Sequence, residues 1–271
     1  MKKKTGFLAM AAMFLFALLL WVKPMDAQAA STKQINMKAN KTYKSYDITG
    51  DKKKDSIRVK TTNTSLAVVV NGKTVYTDKT EIEGGTEIQY CQLGNGMPFL
   101  FIRGYGVNEM CMSAIVYYKS GKPASLDLGN HFKKYAWIYH ISDLELSENF
   151  FTATFSVMFQ STGITYLAPH KFVYKKGAIV NSSKLWDVES FGHTKSAPSL
   201  TFKTARALTA YTDFSAKKKA FTVKRGAKVK IRKMYYNGKM LLMNVEYNGR
   251  QGWVKALTTR DKLFTDVMYG G

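Results

Sequence analysis

Hydrophobic and polar positions follow two regimes along the chain. From Phe7 to Val22 every residue is apolar; from about residue 33 onward, apolar and polar residues alternate in short runs bounded by Gly, Asn-Gly or Lys-Gly. Successive side chains of an extended chain point to opposite faces, so period-two patterning rich in β-branched and aromatic residues marks strands. Ile57-Arg58-Val59-Lys60 alternates in this way. Leu66–Val70 is an apolar run closed by Asn71-Gly72, a hairpin signal. Phe99–Arg103, Ser113–Tyr118, Phe150–Phe159 and Lys171–Tyr174 read as further strands, with turns at Lys119-Ser120-Gly121-Lys122 and Lys175-Lys176-Gly177. Helical periodicity is nearly absent after residue 30. The pattern predicts an all-β chain.

A repeat lies inside this pattern. Tyr46-Asp47-Ile48-Thr49-Gly50-Asp51 and Tyr90-Cys91-Gln92-Leu93-Gly94-Asn95 each precede a strand and, later, a Val-Tyr strand next to a Gly-Lys turn. A looser third copy runs from Tyr139 through Asp143 to Phe172–Gly177. A period near 45 residues suits a three- or four-stranded β unit of the kind that builds propellers. Three copies are too few to close a propeller, so an open array or a stacked sandwich fits equally.

The first regime has its own meaning. Lys2, Lys3 and Lys4 precede the apolar run, and Ala27-Gln28-Ala29 follows it. A basic start, a short apolar stretch and an A-x-A exit are the features of a secretory signal peptide, with cleavage expected after Ala29. The apolar run is shorter than the roughly 20 residues that span a bilayer, and Pro24 interrupts its end. The expectation is therefore a secreted protein with no transmembrane span after processing, rather than one held by an N-terminal anchor.

Charge then sharpens the picture. The formal net charge is +22. From Lys203 to Lys262, sixteen Lys or Arg oppose only Asp213, Glu246 and Asp261, whereas residues 30–202 carry twenty-one basic and fourteen acidic side chains. That shift predicts a β-repeat domain over 30–180, a linker over 181–203, a basic domain over 204–260 and a tail over 261–271. An exported protein of this charge meets anionic envelope polymers through its summed field, and export argues against nucleic acid as the partner.

Asp47-Ile48-Thr49-Gly50-Asp51-Lys52-Lys53-Lys54-Asp55 resembles the calcium loops of EF-hand, dockerin and integrin-type propeller repeats. The resemblance implies Ca2+ held by the side chains of Asp47, Thr49, Asp51 and Asp55 with the carbonyl of Lys53, since a hard cation takes oxygen donors at alternate positions of a tight loop. Thr49 stands in place of Asp or Asn, Lys52 in place of Gly, and Arg58 in place of the bidentate Glu. The residues themselves support a second reading, a hairpin loop whose Asp side chains cap backbone amides.

Catalytic patterns are sparse. His131, His140, His170 and His193 lack zinc spacing, and no nucleophile elbow is present. Asp143, Glu145 and Glu148 cluster before a strand as either a glycosidase-like acid and base or a solvated loop. Cys91 and Cys111 are the only thiols. A meander over residues 86–118 pairs Cys91 with Phe99 and Phe99 with Met112, leaving the thiols two strands apart, too far to bridge. Both then read as core residues.

The C-terminal stretch carries Lys224-Arg225-Gly226-Ala227-Lys228-Val229-Lys230-Ile231 and, later, Tyr247-Asn248-Gly249-Arg250-Gln251-Gly252-Trp253-Val254. These segments resemble the bacterial SH3-like (SH3b) domain of exported cell-wall proteins over residues 204–258. The resemblance implies a small β-barrel that binds peptidoglycan or an anionic wall polymer, with no catalytic role. Tyr211, Phe214, Tyr236 and Trp253 would form the groove, with Lys217, Lys218, Lys219, Lys224 and Arg225 supplying charge. The expected function is thus a secreted, envelope-associated binding protein of Gram-positive type, its N-terminal domain open to a protein partner. The alternatives are a cell-wall hydrolase and a calcium-stabilised adhesion or scaffold protein.

Overall fold

The computed structural model describes residues 31–107, 109–163, 165–188, 201–258 and 263–265. Residues 1–30, which include the expected signal peptide, and most of the tail lie outside the described residues. The chain is all-β, as its alternation predicts. Strands β1 (Lys33–Met37), β2 (Thr42–Tyr46), β3 (Asp55–Thr62), β4 (Ser65–Val70) and β5 (Lys73–Asp78) come first. β2 to β5 form an antiparallel four-stranded meander. The second sheet takes β6 (Gly85–Gln92), β7 (Pro98–Tyr105), β8 (Met110–Lys119) and β9 (Lys122–Asp127), and β1 joins it beside β6.

A 3-10 turn at Lys133–Tyr135 leads into β10 (Ala136–Ile141), β11 (Glu145–Leu146), β12 (Phe150–Phe159), β13 (Thr165–Lys175) and β14 (Ala178–Asn181). This third sheet runs β10-β12-β13-β14, with β11 also on β12. The last sheet takes β15 (Leu185–Asp187), β16 (Thr201–Lys203), β17 (Leu208–Tyr211), β18 (Lys219–Val223), β19 (Lys228–Tyr236), β20 (Leu241–Tyr247) and β21 (Arg250–Lys255). It runs β15-β19-β20-β21-β17-β18, with β16 also on β19, and bends into a half-barrel.

The sequence repeat maps onto one topology used three times. Tyr46, Tyr90 and Tyr139 fall in the first strand of each unit, β2, β6 and β10. The turns between third and fourth strands are Asn71-Gly72, Ser120-Gly121 and Lys176-Gly177, and both residues of each have φ between 50° and 80°. Positive φ at both central positions is the geometry that matches strand twist in a two-residue hairpin, so Gly recurs there.

The second sheet is buried on both faces, and its strands lose their alternation accordingly. Leu100 and Ile102 of β7, with Met112, Ala114 and Val116 of β8, pack against Ile57, Val59, Val68 and Val70 of the first sheet. Phe99 and Phe101, with Ile115 and Tyr117, belong to the other core, which runs through Phe151, Phe155 and Phe172 into the half-barrel.

Two expectations change here. Cys91 does pair with Phe99, but Phe99 pairs with Tyr117, and Met112 faces Gly104. β7 runs on to Tyr105 and β8 starts only at Met110, which with the one-residue bulge at Gly104/Tyr105 accounts for the slip. Both thiols are free, Cys91 buried and Cys111 only half-buried, on opposite faces of the sheet. The stretch 181–203, read as a linker, carries β15 and β16, and both hydrogen-bond to β19. Residues 189–200 lie outside the described residues. Among the described residues no helix is long and apolar enough to cross a membrane.

Candidate functional site

The half-barrel has an inner face on the main core and an outer face toward solvent. Leu241, Met243 and Val245 of β20 and Val254 of β21 point inward. The alternate residues Leu242 and Trp253 point outward and form a small cluster with Ala216, against which Tyr211, Tyr235 and Met240 pack. Gly252 permits this arrangement. A Cβ there would come within 2.9 Å of Ala210 Cβ and 3.0 Å of Phe221 Cε1, so only hydrogen lets β21 pass this close to β17 and β18.

A loop folds onto the cluster. Thr212 N–H donates to the Lys218 carbonyl at 3.0 Å, and the Asp213 carboxylate accepts from Ser215 N at 2.8 Å and Ser215 Oγ at 2.6 Å. Those hydrogen bonds hold the Asp213 carboxyl below its usual range. So fixed, the loop lays Phe214 on Tyr235, with ring centroids 4.1 Å apart and planes at 11°, and against Trp253 at 4.7 Å. Such stacking orders the rings beyond simple area burial. Phe214 keeps 38% of its surface exposed while Trp253 keeps 9%, so Trp253 is the floor and Phe214 the lip.

Lys217, Lys218 and Lys219 are exposed on and beside this loop, and Lys255 Nζ lies 5.4 Å from the Tyr211 ring centre. Sequence reasoning missed Tyr235, Met240 and Lys255. Two expected members fall elsewhere. Lys224 and Arg225 follow the far end of β18, where Lys224 accepts from Thr204 Oγ1. Five strand residues at about 3.3 Å each separate them from Lys219 by roughly 16 Å.

Tyr236 is the larger correction. It is 1% exposed and faces the core. Val229 and Ile231 point inward, and unbroken alternation would turn Tyr235 inward and Tyr236 out. A bulge between Ile231 and Lys233 adds one residue and exchanges the two faces beyond it. Met234 and Tyr236 consequently turn into the core and Tyr235 turns out.

The Asp-rich loop uses its carboxylates internally. Asp47 Oδ1 accepts from Gly50 N at 2.6 Å and Oδ2 from Lys52 N at 2.6 Å. Asp51 Oδ1 accepts from Lys53 N at 2.8 Å. Asp55 Oδ2 accepts from Ile48 N at 2.8 Å and Thr49 N at 3.0 Å, and Oδ1 from Asn71 Nδ2 at 2.6 Å. Burial raises the Asp55 pKa, but Asn71 and the two amides outweigh it and leave the carboxyl below its usual value. The arrangement is that of an amide-capping loop. Among the described residues no group of three or more His, Cys, Asp or Glu is placed to hold a metal.

The remaining reactive side chains form no catalytic pair among the described residues. Asp143 Oδ1 lies 2.6 Å from Arg103 Nη2, and Glu87 Oε2 lies 2.7 Å from the same atom. Arg103 also donates to the Ile141 carbonyl at 2.7 Å. Glu145 and Glu148 are both exposed, on and beside β11. Burial drives the Cys91 thiol far up and raises that of Cys111, so neither is poised as a thiolate.

Two histidines that look scattered in sequence do meet. His131 Nε2 lies 3.3 Å from His170 Nδ1, and Asn181 Nδ2 lies 3.3 and 3.2 Å from those two atoms. Burial lowers the pKa of His131 to about 4, and burial together with His131 lowers that of His170 to about 3. His193 lies outside the described residues.

A groove of about 790 Å3 opens between β8 and β10, lined by Glu109, Asn130, Lys133, Lys134 and Trp137. No family model, curated protein or solved structure matches the chain.

Proposed function

We propose that this protein is a secreted, non-catalytic binding protein of the cell envelope, and that it holds peptidoglycan or an anionic wall polymer on the outer face of its half-barrel. The reading is carried by one observation, the stacked Phe214–Tyr235 pair over Trp253 with Lys217, Lys218 and Lys255 around it. Flat aromatic surface offers an apolar platform to a sugar ring or peptide, and surrounding cations draw a polyanion without strict geometry. The phenylalanine lip is half open, which leaves contact area for a ligand. The excess of basic side chains between Lys203 and Lys262 supports the same partner. The groove at Trp137 offers the β-repeat region a separate surface for a protein partner.

The test uses the chain from residue 30 to 271, because β15 and the third sheet are part of the half-barrel's packing. It should co-sediment with purified Gram-positive walls at low salt and be released as ionic strength rises, since exposed charges are screened over about 8 Å at physiological salt. Recovery in the supernatant at low salt would overturn the reading.

A further inference from the structure

The histidine pair, His170 fully buried and His131 partly so, sits where the third sheet meets the half-barrel. His170 belongs to β13, His131 to the segment before β10, and Asn181 to β14. The half-barrel contributes Trp186 from β15 and Tyr236 from β19. The Trp186 ring lies 4.7 Å from His170, and the Tyr236 ring 5.8 Å from His131. Phe132, Phe155 and Phe172 close the cage.

The polar atoms in this cage are poorly satisfied. His170 Nε2, Trp186 Nε1 and Tyr236 Oη are buried without a hydrogen-bond partner among the described residues. The three nitrogens of His131, His170 and Asn181 also form a triangle that hydrogens cannot fully satisfy. The Asn181 amide can donate one hydrogen to each ring, because its oxygen is engaged by Ser183 N at 3.0 Å. Two ring lone pairs then face each other at 3.3 Å. Protonating a facing nitrogen therefore sets its hydrogen against the Asn181 amide, so the closed triangle resists the proton rather than holding it.

Among the described residues no anion faces the cage to stabilise a protonated ring in the closed form. The other titratable groups facing the cage are Tyr236 and, beside it, Tyr135. On the packed elements, Lys133 and Lys134 are exposed, Lys171 lies over Phe150, and Asp187 pairs with Lys233 at 3.1 Å. Asp127, at the end of β9, accepts from Asn130 N at 3.0 Å. Charging His170 therefore means burying an unpaired cation or wetting the junction, and charging the partly buried His131 sets a second positive charge against it.

We infer that the His131–His170–Asn181 cluster is an acid-sensitive latch, closed when both imidazoles are neutral and opened by protonation, which loosens the half-barrel from the third sheet. The open form titrates near the ordinary histidine value of about 6.5. Each histidine then shifts the balance toward opening by up to tenfold per pH unit below that value, until the folded rings themselves titrate. For two histidines the open population rises on the order of a thousandfold between pH 7.5 and 5.

Amide hydrogen exchange on residues 30–271, corrected for intrinsic pH dependence, reads this directly. The amide of Leu257, which donates across the junction to Ser161 Oγ at 2.7 Å, and those of Val188 and Tyr236 beside Trp186 should lose protection steeply between pH 7.5 and 5. Amides of Val59 and Val68 in the first sheet should hold theirs. Equal loss in both regions, or no loss at the junction, overturns the inference. A double variant, His131→Phe with His170→Asn, should flatten the junction's pH dependence, and a retained slope counts against the latch. If that variant fails to fold, the wild-type exchange pattern decides alone.

Discussion

Tyr235 and Tyr236 are neighbours in sequence and stand in opposite worlds. Tyr235 faces outward, stacked under Phe214 in a cluster that stays partly open to solvent. Tyr236 faces inward, buried among Phe132, His131 and Tyr135, with its hydroxyl unpaired. Burial, with Tyr135 second, raises its pKa. The outer face keeps ring surface available and is fit to bind. The inner face spends its rings on cohesion and tolerates unsatisfied polar atoms, which makes it fit to respond. One bulge in β19 decides which tyrosine does which.

The sharpest way to break the comparison is to remove that bulge. Deleting Arg232 restores unbroken alternation and would send Tyr235 into the core and Tyr236 to the surface. The expected outcome is loss of cooperative folding of the half-barrel, read by near-ultraviolet circular dichroism. A folded variant with unchanged stability would show that face assignment is not set there.

Next in size is truncation on either face. Tyr236→Ala should cost about 3–5 kcal/mol, as for other large buried aromatics. Tyr235→Ala should cost about 1 kcal/mol or less, because its ring is only half-buried. Urea denaturation of both variants measures the difference, and equal costs would erase the distinction between the faces.

Acid comes third. Both histidines titrate well below their ordinary value in the folded chain, so the unfolded chain takes up protons first as pH falls. Stability is therefore full above about pH 6.5 and declines toward about pH 4, by up to ~1.4 kcal/mol per unit per histidine. Asp55 acts in a lower window. Its lowered pKa contributes stability that is lost only as pH falls below its ordinary 3.8. Stability that stays flat from pH 7 to 5 would exclude the histidine contribution.

Smaller again is Gly252→Ala. The added carbon meets Ala210 and Phe221 and should cost about 1–3 kcal/mol with weaker packing of Trp253, visible in its fluorescence. The smallest expected effect is that of calcium. With Asp47, Asp51 and Asp55 occupied by amides, millimolar calcium should leave the melting temperature unchanged, and a clear rise would restore the loop as a cation site.

Much of this architecture was legible in the sequence, for physical reasons. Alternation located β3, β4, β7, β8 and β12, and the paired turns revealed the three-fold unit because φ > 0 at both positions restricts which residues serve. Gly252 and Trp253 drew notice through their spacing. What stayed hidden depends on contacts without a local signature. The bulge at Arg232 leaves no mark in the residue pattern, so Tyr236 took the place of Tyr235. His131 and His170 lie 39 residues apart and meet only because β13 crosses behind the turn at residue 132. β15 is three residues long and reads as linker. Lys224 and Arg225 looked like part of the basic cluster until β18 carried them to its other end.

The most direct measurement compares wall binding by residues 30–271 with that of the Phe214→Ala/Tyr235→Ala variant, at low salt and matched fold by circular dichroism. The expected result is a large loss of binding in the variant with its thermal transition retained. Undiminished binding would contradict the assignment of the outer aromatic face as the place where the polymer is held.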